Sequence, residues 1–360
     1  MAGPARIEQL SSQIENHRLD AILVSHLPNI RYLCGFTGSA GLLVLSARGA
    51  RFFTDGRYSE QAAEEVERER VHIETGKSAQ ASAIDWLRKQ SWLKRIGIES
   101  AYVTVADRDI LSKRLGRSVK LVAAPPMIER MRMVKSAEEV GKIRAACELG
   151  NALFRRLTKL LKPGVTEAQV AGQLELAARR GGADQMAFST IIAGGKRSAL
   201  PHGRASAALL PQRGFVVCDF GVILSGYCSD MTRTLHLGRP ATAARRVYEA
   251  VREAQQAALE AVKPGNTVGE VDAAARKLLH NKGIDRYFTH STGHGLGLEI
   301  HEAPRVAAGQ VEPLRPGMVI TVEPGVYLPG KWGVRIEDTV VVTKTGCEIL
   351  TTCPKELLSL

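Results

Sequence analysis

The sequence predicts an α/β domain followed by an α+β domain built on an internal pseudo-two-fold repeat and a curved antiparallel sheet. Three observations carry that expectation. Helix and strand patterns alternate as far as Ala124-Pro125-Pro126. The segment Lys162-Pro163-Gly164-Val165-Thr166 recurs as Lys263-Pro264-Gly265-Asn266-Thr267. Each copy is followed by an apolar strand pattern that ends in a carboxylate, Asp219 in one half and Glu323 in the other.

The first domain is expected over residues 1–126. Ala2 to Arg18 reads as an amphipathic helix and Ala21 to Ser25 as a short apolar strand. Gly41 to Leu45 and Ala50 to Thr54 read as two more strands, joined by the turn Ser46-Ala47-Arg48-Gly49. Helical patterns follow at Ser59 to Arg68 and Ser82 to Gln90, and short strands at Arg95 to Ile98 and Lys120 to Val122. Two consecutive prolines break any regular element at the boundary.

The second domain is expected over residues 127–360. Ile128 to Lys135 leads into a helix opened by Ser136, with Glu139 three residues on, the pattern of a capping box. Thr166 with Gln169 and Thr267 with Glu270 repeat that pattern. Each follows a long amphipathic helix, Ala137 to Leu161 and Ala241 to Val262, and the helices they open close at Gly181-Gly182 and at Gly283. Arg213 to Asp219 then resembles Pro316 to Glu323, and one hairpin later each half supplies a second carboxylate, Asp230 and Glu337.

A pseudo-two-fold arrangement brings these four carboxylates to the centre of one sheet. Ionised carboxylates in apolar strands are costly unless they are paired or bound to metal. His294, between Gly293 and Gly295, stands beside the second pair, and its glycines are read as permitting close approach of backbone to a ligand or metal. Four carboxylates and two divalent cations balance with a neutral imidazole. Oxygen-rich sites with one imidazole suit Mn²⁺, Co²⁺, Fe²⁺ or Zn²⁺. Two such ions about 3.5–4 Å apart share a bridging water and generate hydroxide at neutral pH, which is equipment for hydrolysis.

Asp219, Asp230, His294, Glu323 and Glu337 stand in the order and context of the metal-ligand set of the M24 metallopeptidases. The runs from Gly293 to Glu302 and from Val322 to Tyr327 carry that resemblance most specifically. The chain resembles the Xaa-Pro branch of the family, aminopeptidase P and prolidase. Phe52-Phe53-Thr54-Asp55-Gly56-Arg57-Tyr58 resembles that branch's creatinase-like N-terminal domain. The resemblance implies a pita-bread catalytic domain with two divalent metal ions, Mn²⁺ first and Co²⁺ or Zn²⁺ as alternatives. It implies that Asp230 and Glu337 bridge them, that Asp219 completes one ion, and that His294 and Glu323 complete the other. It implies that Glu323 also moves the proton of the attacking water. His202 would reach the scissile carbonyl, His290 and His301 would line the substrate pocket with a catalytic share for His301, and Arg335 would order that pocket. The implied reaction is cleavage of an Xaa-Pro bond by metal-bridging hydroxide. Its substrate is either a dipeptide or the N-terminus of a short peptide. A prolidase needs a cation for the free carboxylate, and Arg31, Arg57 and His26 are candidates.

The remaining features bound the rivals. A non-catalytic pita-bread binding protein, or an aminopeptidase of other specificity, keeps the fold, but the former generally lacks the full ligand set. The net charge of +12 is spread along the chain rather than clustered, so neither a nucleic-acid nor a membrane partner is expected. Met1 to Leu10 has no signal-peptide pattern, no run reaches roughly 18 apolar residues, and six scattered cysteines read as reduced thiols. A cytoplasmic homodimer acting on proline-containing peptides is the expectation. Strand alternation puts Cys218 away from Asp219 and puts Cys228 on the side of Asp230.

Overall fold

The computed structural model describes residues 3–66 and 71–360, and the chain divides into two compact units, Met1–Arg132 and Met133–Leu360. Unit one contains α1 (Gly3–Asn16), β1 (Ala21–Val24), α2 (Leu27–Cys34), β2 (Leu42–Ser46), β3 (Gly49–Asp55) and α3 (Ser59–Glu65). It continues with β4 (Val71–Gly76), α4 (Ala79–Arg88), β5 (Arg95–Ile98), α5 (Val105–Leu115), β6 (Lys120–Ala123) and α6 (Met127–Met133). The strands form one mixed sheet in the order β4-β3-β2-β1-β5-β6. Three of its pairings are parallel (β1 with β5, β5 with β6, β3 with β4) and the two around β2 are antiparallel.

The α/β expectation and its strands stand, with ends shifted by a residue or two. Ala2 of the first predicted helix and the end of the second, Glu67 and Arg68, lie outside the described residues. α4 starts three residues before the expected Ser82 because the Ser78 side chain accepts from the Ala81 N–H and caps the helix there. β4, α5 and α6 have no counterpart in the sequence reading, and neither does α2. It is eight residues long, and its N-terminus is held by a distant group: the Glu99 carboxylate accepts from the N–H of Ser25 (2.6 Å) and of His26 (2.8 Å). A partner 73 residues away leaves no local trace.

Unit two opens with α7 (Ala137–Leu160), α8 (Glu167–Arg180), β7 (Gln185–Met186), β8 (Ile191–Gly194), β9 (Gly214–Phe220), β10 (Val222–Leu224), β11 (Tyr227–Cys228) and β12 (Met231–Leu237). Its second half has α9 (Thr242–Ala261), α10 (Val268–Asn281), β13 (Gly293–Gly295), β14 (Glu302–Val306), β15 (Val319–Val322), β16 (Gly325–Leu328), β17 (Trp332–Arg335), β18 (Asp338–Val342) and β19 (Cys347–Ile349). All three expected capping boxes form. The repeat is carried by identical backbone turns. Gly164 and Gly265 are both left-handed, at φ +81° and +90°. The Gly164 N–H donates to Leu210 O and the Gly265 N–H to Leu314 O, and both capping threonines bridge the segment that follows, Thr166 to Leu209 and Thr267 to Pro313.

The antiparallel ladders run β12-β9-β8 and β14-β13-β15-β18-β19. They meet where the Glu337 N–H donates to Thr232 O (3.1 Å) and the Arg335 N–H to Thr234 Oγ1 (3.1 Å). One face of each is buried under its own helix pair. Val216, Cys218 and Phe220 pack with residues of α7 and α8, while Ile320, Val322, Val340 and Val342 pack with residues of α9 and α10. Alternation along the strands leaves the opposite face for polar side chains. The hairpin β10-β11 lies between β9 and β12, and the hairpin β16-β17 lies between β15 and β18, so each half delivers one carboxylate before its hairpin and one after. No helix among the described residues is long and apolar enough to cross a membrane, and all six cysteines are unbridged.

Removing one capping hydroxyl costs about 1 kcal/mol. Thr166→Ala and Thr267→Ala are each expected to lower the melting temperature by about 2–4 °C. The two sites share no partner, so the double variant should show the sum in a thermal melt.

Candidate active site

Asp219 is the sixth residue of β9, in register with Thr232 of β12. Asp230 sits one residue before β12, Glu323 one residue after β15, and Glu337 in the two-residue link between β17 and β18. His294 is the middle residue of β13. All five line one cavity of about 620 Å³, together with His202, His290, His301 and Arg335. The structure therefore gathers all the residues expected as metal ligands and all the expected histidines and arginine of the pocket, but not Arg31, Arg57 or His26. His17, His72, His236 and His280 do not line it.

The donor set fits divalent cations. The His294 Nδ1–H donates to Gly295 O (3.0 Å), which leaves Nε2 as a bare acceptor. That Nε2 faces Glu323 Oε1 at 3.5 Å and Asp230 Oδ2 at 3.6 Å, so lone pairs converge on a shared point. Ligand atoms of Asp230, His294 and Glu337 all lie within 4.8 Å of one another. Asp219 Oδ1 is buried with no hydrogen-bond partner, while its Oδ2 accepts from Arg335 Nη2 at 2.5 Å. A buried carboxylate oxygen of this kind needs a cation or a proton.

The electrostatics agree. Asp219, Asp230 and Glu337 are buried and Glu323 half-buried, and Arg335 is the buried cation among the cavity residues. Burial, followed by the charge of Glu337, holds the Asp230 carboxyl well above the usual range. Burial, followed by the charge of Glu323, does the same to Glu337. Burial pushes Glu323 up to about 7 against the opposing pull of Arg335. Four like charges cannot share such a space on one guanidinium alone, and divalent cations relieve what protons otherwise must.

Arg335 spends its donors on the protein. Nε donates to Thr232 Oγ1 (3.1 Å), Nη1 to Pro201 O (3.0 Å) and to the Tyr327 hydroxyl (2.6 Å), and Nη2 to Asp219. One side chain thus ties β12, the loop bearing His202, β16 and β9 together. The Thr232 hydroxyl in turn donates to Glu337 Oε2 (2.6 Å). Tyr327 passes the chain onward. Its hydroxyl receives from Arg335 and lies 2.9 Å from His290 Nε2, while His290 Nδ1 lies 2.8 Å from Ser291 O. A carbonyl can only accept, so Nδ1 carries the proton and Nε2 accepts from Tyr327. Burial, then the charge of Arg335, lowers the His290 pKa to about 4, so this neutral tautomer holds at neutral pH.

The sequence reading missed Tyr327 and Thr232. A local signal existed for Tyr327: it stands two residues after Gly325, where a Cβ would lie 2.6 Å from the Tyr327 hydroxyl, so the ring folds back over its own strand. The reading of Gly293 and Gly295 needs correction. A Cβ at Gly293 would lie 2.0 Å from Thr321 O, and one at Gly295 would lie 2.3 Å from Ala303 O. The glycines admit the backbones of neighbouring strands rather than a ligand. Cys218 faces away from Asp219 into the helix-side core. Cys228, expected beside Asp230, instead packs with Ile143, Cys147 and Leu296 and does not line the cavity. β11 ends at Cys228 and the chain turns through Ser229 and Asp230, so alternation does not carry across. Arg31, Arg57 and His26 belong to unit one, where Arg57 is paired in bidentate fashion with Asp55. The cavity wall carries Arg204 and Arg305, both exposed and without an ion-pair partner among the described residues.

A buried cluster of carboxylates that meets one bare imidazole nitrogen, that of His294, suits a metal-dependent hydrolytic class. The matched families agree: residues 141–344 match Metallopeptidase family M24, and residues 6–134 match the Creatinase/Prolidase N-terminal domain. The chain belongs to the M24 metallopeptidases. It is 40% identical to an uncharacterized peptidase of Bacillus subtilis, over 99% of this chain and 100% of that one. The solved Xaa-Pro dipeptidase of Bacillus anthracis superposes with a TM-score of 0.95 at 37% identity, over 99% of this chain and 100% of the other. The X-Pro aminopeptidase of Thermotoga maritima superposes with a TM-score of 0.89 at 36% identity, over 98% and 99%.

The His290 tautomer has a measurable consequence. Above pH 6.5 neither the folded nor the unfolded chain holds its proton; as pH falls from 6.5 towards 4 only the unfolded chain takes it up. Stability is therefore lost on acidification across that window. In chelated protein, His290→Gln should remove about one proton from the pH dependence of unfolding there. An unchanged slope in denaturant melts would show that His290 is not held neutral.

Proposed function

We propose that this chain is a dinuclear-metal Xaa-Pro dipeptidase, a prolidase. The observation that carries it is the convergence of Asp219, Asp230, His294, Glu323 and Glu337 on one cavity with a single buried counter-cation. In this reading Asp219, Asp230, His294, Glu323 and Glu337 would together hold two divalent ions. Mn²⁺ is the first candidate, with Co²⁺ and Zn²⁺ as alternatives, because the donors are mostly oxygen with one imidazole. When bound, the pair supplies a water of lowered pKa and a Lewis acid for the substrate carbonyl.

The protein's own groups do the rest. Glu323 takes the proton of the attacking water on a carboxylate oxygen and passes it to the proline nitrogen as the C–N bond breaks. His202 and His301, both exposed to the cavity, hold the scissile carbonyl and the developing oxyanion. His290, with both ring nitrogens engaged by Tyr327 and Ser291, offers its ring as a wall for the pyrrolidine. Arg335 orders the pocket, since its bonds to Asp219, Tyr327 and Pro201 leave it little to give a substrate. The bond before proline has no N–H and its φ is fixed, so a site that recognises shape suits it better than one that recognises a strand.

The dipeptide reading rests on Arg204 and Arg305, unpaired cations that suit a free C-terminal carboxylate. The Bacillus anthracis relative is described as an Xaa-Pro dipeptidase, which points the same way. Aminopeptidase P is the second reading, favoured by the likeness to the Thermotoga maritima enzyme. Six unbridged thiols and the lack of a spanning helix among the described residues favour a cytoplasmic location, and a homodimer is the proposed assembly.

Chelated enzyme reloaded with Mn²⁺, Co²⁺ or Zn²⁺ should cleave Ala-Pro, and spare Gly-Pro-Ala and Ala-Ala-Ala. Cleavage of Gly-Pro-Ala would move the assignment to aminopeptidase P, and equal cleavage of Ala-Ala-Ala would sink the proline claim. Asp219→Asn and Glu337→Gln should each lower turnover by orders of magnitude in a folded protein; retained turnover in excess metal would count against the ligand set. Arg305→Ala should raise KM for Ala-Pro by about 10-fold with kcat nearly unchanged, as expected for losing one charge-assisted hydrogen bond.

A further inference from the structure

One buried network reaches the site from behind the cavity. Arg233 is among the largest fully buried side chains, and it fans across three segments. Its Nε donates to Pro354 O (3.1 Å) and its Nη1 to Thr232 O (3.0 Å) and to Glu337 O. Its Nη2 donates to Asp338 Oδ1 (2.7 Å), to Cys353 O (2.8 Å) and to Thr351 O (3.3 Å). Asp338, fully buried and next to Glu337 in the chain, also accepts from Thr351 Oγ1 (2.9 Å), Gln255 Nε2 of α9 (2.8 Å) and Lys355 Nζ (2.9 Å). Arg233, Asp338, Thr351 and Lys355 do not line the cavity.

The effect converges on Glu337. Its N–H is taken by Thr232 O, its carbonyl by Arg233 and its carboxylate by the Thr232 hydroxyl. Both peptide groups of this residue are thereby pinned, although it lies in a link between strands rather than in a ladder. The planar five-donor guanidinium is the side chain suited to a fan of carbonyls, and an ammonium at the same place cannot reproduce it. Outer groups that orient a ligand set its affinity for metal, typically by 10- to 100-fold.

We propose that Arg233 is a positioning residue for Glu337, and that the segment Thr351–Lys355 acts through it and Asp338 as a clasp that sets affinity for the divalent cations. The proposal rests on the reading of Glu337 as a metal ligand. It assigns to the segment after β19 a share in metal binding, though none of it faces the site.

The test is calorimetric titration of chelated full-length protein with Mn²⁺, comparing wild type, Arg233→Lys, Lys355→Met and Thr351→Val, with thermal melts of each metal-free form. Lys355→Met and Thr351→Val should weaken Mn²⁺ binding several-fold, and Arg233→Lys by about 10- to 100-fold. The Lys355 side chain is 21% exposed, so its variant decides the matter even where Arg233→Lys does not fold. Wild-type Mn²⁺ affinity in Lys355→Met and Thr351→Val, with only the metal-free melting temperature lowered, would reduce the clasp to a plain stabilising contact and overturn the proposal while leaving the metal site intact. A wild-type protein that takes up neither Mn²⁺, Co²⁺ nor Zn²⁺ would overturn the metal reading and the clasp with it.

Discussion

Four of the cavity's five carboxylates share one buried guanidinium, the fifth, Glu302, being paired with Lys135, and that crowding is the constraint on which the rest of unit two depends. Left to themselves, Asp219, Asp230, Glu323 and Glu337 repel one another in a space where water screens them poorly, and three of them are driven towards protonation. The fold must hold them together against that repulsion. It does so with strands whose backbone hydrogen bonds are satisfied elsewhere, with threonine hydroxyls at 232 and 321, and with Arg335 joined to Asp219. Such an arrangement is poorly suited to stability alone and well suited to cations.

The internal repeat solves the delivery problem economically. Each half places one carboxylate before a hairpin and one after it, so two copies of one plan bring four together. The halves then diverge where chemistry needs asymmetry. The second half adds His294 on a strand flanked by glycines, because a side chain at either flank would collide with a neighbouring backbone carbonyl. It also adds Arg335 and Tyr327, which together link Asp219 to the tautomer of His290. Both covering helix pairs remain on the far face, so the apolar core and the charged centre share the same strands without sharing a side.

Much of this was legible locally. The capping boxes at Ser136, Thr166 and Thr267 are short-range patterns and formed where they were expected. The carboxylates could be found because charged residues in apolar strands are conspicuous. α2 escaped notice because its N-terminal amides are satisfied by Glu99, and Cys228 was put on the wrong side because alternation was extended past the end of a strand. Tyr327 and Thr232 escaped because neither residue type is unusual in a strand; their importance lies in which atoms they meet.

By itself the sequence determined the fold class, the repeat and the four carboxylates gathered at the centre, because periodicity, caps and misplaced charge are properties of neighbours in the chain, while His202, His290, His301 and Arg335 were expected from the family resemblance alone. Only the tertiary structure decided which nitrogen of His294 faces the carboxylates, that Arg335 gives its donors to the protein, that Arg204 and Arg305 stand on the cavity wall without an ion-pair partner among the described residues, and that residues 351–355 reach back to Arg233 and Asp338. Those are matters of hydrogen-bond direction and of contacts across a hundred residues or more. No local pattern encodes them, since each partner is chosen by the packing of strands that are distant in sequence.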